Sequence, residues 1–146
     1  MPGWTYWYVV LFWPSLAIVA GLCVWKGDAP TKLAAAIFAA GMLVSKALTP
    51  SDMFSHLEVG IATVDATLAI LLTGLCMRCP RLWLILLAAI QIAACLGHAS
   101  RMLGMQHSRL TYAILTGSAG YPALIVLCCG LIGSIRSRTI LKSRRV

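Results

Sequence analysis

Apolar runs of membrane-crossing length recur along the chain, at about residues 6–25, 33–48, 56–79, 82–103 and 110–135, with only short polar segments between them. A helix needs about 20 apolar residues to cross a bilayer core. Within lipid every backbone N–H and C=O must find a partner inside the protein, so only helices and closed barrels span. Runs this long predict helices. The charge content agrees, because 11% charged residues is far below the roughly one quarter typical of soluble domains. The expected fold is an all-α integral membrane protein: a bundle of about five transmembrane helices with a central antiparallel hairpin. It forms a single helical domain over residues 1–135, followed by a basic cytoplasmic tail over 136–146.

The breaks between runs carry turn chemistry. Lys26 to Lys32 reads KGDAPTK, with Asp28 and Pro30 at a turn. Thr49, Ser51 and Asp52 surround Pro50, a turn followed by a helix start. Pro80 lies between the third and fourth runs and closes them into a tight hairpin. The second run is the shortest and fits either a span or a re-entrant segment. Its pairs Ala36/Ala40 and Ala35/Ala39 have the small-x-x-x-small spacing that admits a neighbouring helix, and Lys46 near its end is expected to snorkel to the interface. Pro14 lies inside the first run and is expected to kink it. Trp4, Tyr6, Trp7, Tyr8 and Trp13 form an aromatic belt for that span. No Lys or Arg precedes it, which argues against a cleaved signal peptide.

Charge sets the expected orientation. With five spans, Lys26, Lys32, Arg78, Arg81, Arg136, Arg138, Lys142, Arg144 and Arg145 fall on one side, nine basic residues, and Lys46, Arg101 and Arg109 on the other, three. Basic residues favour the cytoplasmic side. The N-terminus is therefore expected outside and the C-terminus in the cytoplasm; in a bacterium the membrane is the inner one. The basic excess is a topology signal and not a nucleic-acid footprint, since no soluble domain exists to hold DNA or RNA.

One stretch, Ser55 to Cys79, places two of the chain's four acids in an apolar span. A carboxylate at the centre of a bilayer costs at least about 2.5–3.5 kcal/mol, so a partner is required. Glu58, Asp65, Leu72 and Cys79 recur every seven residues and share a helix face. Gln91 and His98 repeat the same spacing on the next span. Counting outward from Pro80 at 1.5 Å per residue, Asp65 lies about 22 Å from the turn, between Gln91 at about 16 Å and His98 at about 27 Å. The hairpin thus predicts an intramembrane polar network of Glu58, Asp65, Gln91 and His98, in which Asp65 accepts from Gln91 or His98. Such a network either locks helix register or handles a proton.

At the outer rim, His56, His98 and His107 fall near Met53, Met102 and Met105. His with Met suits copper, and two axial His suit haem, so copper and haem are the cofactors to weigh. At the opposite end, Cys76 and Cys79 form a C-x-x-C thiol pair. It resembles the pair of small four-helix thiol oxidoreductases that pass electrons to quinone. Those act on the oxidising face, whereas the charge count puts this pair at the cytoplasmic end, where thiols stay reduced.

No phosphate-cradling glycine loop and no nucleophile-and-base arrangement occurs, which argues against an enzyme. The expected role is a structural or accessory subunit of a larger membrane complex, with the lipid bilayer and other membrane-protein subunits as partners. The alternatives are a metal- or haem-binding membrane protein with the outer-rim His/Met site, and a small proton-coupled transporter using Asp65.

Overall fold

The computed structural model describes residues 4–48, 59–103 and 119–143, with side chains described outside 4–9, 101–102 and 138–143. It is all-α among those residues. The five helices are α1 (Trp4–Lys26), α2 (Ala29–Leu48), α3 (Val59–Arg78), α4 (Leu82–Met102) and α5 (Gly120–Ser143). They run alternately up and down. Each helix packs on its neighbour in sequence, α5 closes back onto α1, and α2 also touches α5 across the interior. The result is a closed ring whose largest helix pair is the α3–α4 hairpin.

Among the described residues four helices are long and apolar enough to cross a membrane: Ala29–Leu48, Val59–Arg78, Leu82–Ser100 and Gly120–Ser137. The second run is among them. Its 20 residues form one uninterrupted helix, about 30 Å at 1.5 Å per residue, and not a re-entrant hairpin. It is longer than its apolar core because Asp28 caps it four residues before Lys32: Asp28 Oδ1 accepts from the backbone N–H of Thr31 at 3.3 Å. Pro30 sits in the first turn, where its missing N–H costs nothing. In α1, Pro14 lies within a continuous helix.

The fifth helix differs more from expectation. Among the described residues it begins at Gly120 and continues through Ser143, well into the stretch expected to be a tail. Apolarity ends near Ile135, but helix propensity does not, since Ser, Arg, Ile, Leu and Lys all tolerate a helix.

Buried residues recur with helical period: Asp65, Leu68, Leu72 and Leu75 on α3; Leu84, Leu87, Ala88, Gln91, Ala94 and His98 on α4; Ala123, Leu124, Leu127, Leu131 and Ser134 on α5. Phe38 of α2 is among the largest fully buried side chains. Outward faces are as apolar as the interior, with Ile18, Leu43, Ile70, Leu96 and Ile125 all exposed on different helices. That is the pattern of a body covered by lipid. The inward face of α2 holds Thr31, Ala34, Ala35, Phe38 and Gly41, while Ala36 and Ala40 point outward. Of the two small-residue pairs it is Ala35 and Ala39 that lie on the packed side, and the tightest approach is at Gly41, where a Cβ would lie 2.5 Å from Leu68 Cδ1. Gly130 serves α5 in the same way, lying flat against the Trp83 indole of α4.

Candidate functional site

The α3–α4 interface holds a buried polar triad. Asp65 is seven residues into α3, about 9 Å from its start. Gln91 and His98 lie two turns apart on the α4 face that meets it. The Gln91 Nε2 amide donates to Asp65 Oδ1 at 2.8 Å. His98 Nε2 lies 3.2 Å from Asp65 Oδ2. The three residues are only 6%, 2% and 3% exposed, respectively. One carboxyl thus bridges two side chains a full seven residues apart, which fixes the sliding register of the hairpin.

Gln91 bonds to Oδ1 and so orients the carboxyl, which leaves Oδ2 for the His98 ring.

Glu58, the fourth expected member of this network, lies outside the described residues. So do His56, His107, Met53 and Met105 of the outer rim, and the side chain of Met102. His98 is the one rim candidate whose side chain is described, and it faces Asp65. Among the described residues no group of three or more His, Cys, Asp or Glu side chains is arranged to hold a metal.

At the opposite end, Cys76 and Cys79 are free thiols, half-buried against the core. Arg78 and Cys79 are close to the point where α3 ends, and Pro80 blocks its continuation. Cys23, Cys95, Cys128 and Cys129 are free as well.

That same end contains a second polar cluster that sequence reading did not assemble. The Arg81 guanidinium pairs with Asp28 Oδ2. The Thr31 hydroxyl donates to Asp28 Oδ1 at 2.5 Å. The Asp28 backbone N–H donates 2.8 Å to the hydroxyl of Ser134 on α5. Three connections meet here: the α1–α2 turn, the α3–α4 turn and the inner turn of α5. Burial pushes the Asp28 carboxyl up, but the hydrogen bonds from Thr31 and Arg81 and the guanidinium charge outweigh it, and hold the carboxyl below its ordinary value. The signal available in the sequence was that Asp28 is the one acid among the basic residues of this end. Lys46 also finds a defined place: its ammonium lies 5.4 Å over the Trp13 ring of α1, not free in the interface.

No protein-family model, curated protein or solved structure matches the chain. The functional reading therefore rests on the fold and the geometry of the chain itself.

Proposed function

We propose that this protein is a structural or accessory subunit of a larger membrane complex. The observation that carries the proposal is the distribution of its glycines. Gly41, Gly120 and Gly130 are used within the chain, against Leu68, Phe12 and Trp83. Gly21 on α1, Gly74 on α3 and Gly133 on α5 have nothing within 4 Å of where a Cβ would be. A glycine inside a helix costs about 1 kcal/mol relative to alanine, and an outward glycine gains no contact in this chain to offset that. Gly21 follows the exposed Ala17 by one turn, and Gly133 lies between the exposed Cys129 and Ser137 at the same spacing. Small residues four apart let a second helix approach closely in lipid.

The test is co-purification in mild detergent. A Cβ at Gly133 or Gly21 meets no atom within 4 Å, so Gly133→Leu and Gly21→Leu, which extend from that open side, should leave the fold intact and release the partner. A chain that purifies alone, or partners that survive both substitutions, would sink the accessory reading. In this reading the N-terminus is outside and the C-terminus cytoplasmic, supported by the excess of basic residues at the end that holds Arg81. Reporter fusions at each terminus test that orientation.

A second reading is supported by the triad: a small proton-coupled transporter in which Asp65 and His98 carry the proton. Intramembrane acids are functional candidates by default. Asp65→Asn retains the size of the side chain and an acceptor for Gln91. If proton flux in reconstituted vesicles is the same in this variant and the parent, proton transfer through Asp65 is excluded.

A further inference from the structure

We infer that the end of the bundle carrying Lys26, Lys32, Arg78 and Arg136 is a binding collar for the headgroups of anionic phospholipids. The fold gathers these residues from four helices. Lys26 closes α1, Lys32 lies in the first turns of α2, Arg78 closes α3, and Arg136 follows Ser134 by two positions on α5. All four are exposed. Ser134 accepts from the Asp28 backbone, so these positions share one level of the bundle to within a few residues.

Two features turn this concentration of charge into a surface for anions. The first is the state of Asp28, the one described acid at this end. It is already held by Arg81, Thr31 and its own backbone bond to Ser134. It is therefore not free to neutralise the collar, and the four remaining cations lack a described carboxylate partner. The second is Trp25, 74% exposed beside the Lys26 ammonium, which lies 4.9 Å from its ring centroid. An indole with a cation above it suits the headgroup level, where one side is apolar and the other charged.

The bundle also supplies the right depth. The apolar stretch of α5 ends near Ile135, but the helix continues to Ser143, about 12 Å further. Arg138 and Lys142 belong to this extension in sequence. A phosphate diester bears the complementary charge in the layer where the collar ends. Near a membrane surface each engaged basic residue strengthens the attraction to anionic lipid.

The experiment reconstitutes the full chain in vesicles of equimolar phosphatidylglycerol and phosphatidylcholine, and reads the fraction of each spin-labelled lipid immobilised by the protein. Phosphatidylglycerol should be preferred several-fold, and high salt should reduce the preference. The combined variant K26Q/K32Q/R78Q/R136Q should lower it toward parity, while K46Q at the other end should leave it unchanged. If the combined variant does not fold, the single variants K32Q and R136Q should each lower the preference, whereas K32R and R136K should keep it. Equal immobilisation of both lipids by the parent protein overturns the inference. So does a preference that the neutral variants retain. Absence of lipid preference together with tight binding of a polyglutamate peptide would also overturn it, and would assign the collar to an acidic protein segment.

Discussion

Asp65 and Asp28 are held by opposite means at opposite ends of the same ring. Asp65 lies in the interior of the α3–α4 hairpin, and its partners are a neutral amide and an imidazole. Asp28 lies at a turn, and its partners are a guanidinium, a hydroxyl and one backbone N–H of its own cap. In the interior a permanent cation would itself need solvation, so an arrangement that can stay neutral is the cheaper solution. At the rim, water and headgroups solvate what the pair leaves open, and an arginine is tolerable. The interior cluster joins two helices and sets their register. The rim cluster joins three connections and sets how the ends of the ring meet.

The contrast is broken most directly at Asp65. Asp65→Ala leaves the Gln91 amide and the His98 ring without their acceptor in an apolar interior, and should cost about 1–3 kcal/mol. Asp65→Asn refits both partners and should cost less, closer to the ~0.6 kcal/mol typical of side-chain hydrogen bonds between membrane helices. Equilibrium unfolding in mixed micelles measures both. Equal costs for the two variants would mean that neither the volume nor the hydrogen bonding that Asn retains supports the triad, and that its contribution comes from the carboxyl group itself, which both variants lack.

At the other end the sharpest probe is Ser134, which is only 1% exposed. Ser134→Ala removes the acceptor of the Asp28 backbone N–H and should cost about 1 kcal/mol in the same unfolding measurement. A neutral outcome would show that the N–H reaches water and that α5 is not tied to the α1–α2 turn by this bond.

The interior cluster was legible in the sequence and the rim cluster was not, for a physical reason. Asp65, Gln91 and His98 stand out against apolar neighbours, and the tight turn at Pro80 converts their sequence offsets into depths. The rise per residue and the seven-residue repeat then set Asp65 between Gln91 and His98. The partnership of Asp28 with Arg81 and Ser134 depends on which helices are neighbours around the ring. Asp28 is marked in the sequence only as the one acid among the basic residues of this end, and nothing there says which of them it pairs with. The facing of α2 was hidden in a similar way. A helix apolar all round has no polar side to set its rotation, and the choice fell to Thr31, Phe38 and Gly41 over Ala36 and Ala40. The extension of α5 to Ser143 escaped because hydropathy reports where lipid ends and not where a helix ends.

The smallest effect belongs to the Arg81–Asp28 pair itself, and its pH dependence is more informative than its size. The pair is partly exposed, with side-chain exposures of 40% and 21%, so screening limits it to about 0–1 kcal/mol. The folded Asp28 carboxyl titrates below its ordinary value of 3.8. In that acidic window the unfolded chain binds the proton first, so stability rises with pH there. The contribution of Asp28 is therefore complete above 3.8 and is lost as pH falls through its depressed folded value. Arg81→Gln removes the cation but leaves the Thr31 bonds, so it should shrink this acid limb without abolishing it, whereas Asp28→Asn should abolish it. Unfolding midpoints of the parent and the two variants, taken across the acid range, check the order. An acid limb of the same size in Asp28→Asn would assign the loss of stability to another carboxyl group. An acid limb of parental size in Arg81→Gln would mean that Asp28 is held by its helix cap alone, and that the α3–α4 turn is not fastened to the α1–α2 turn by charge.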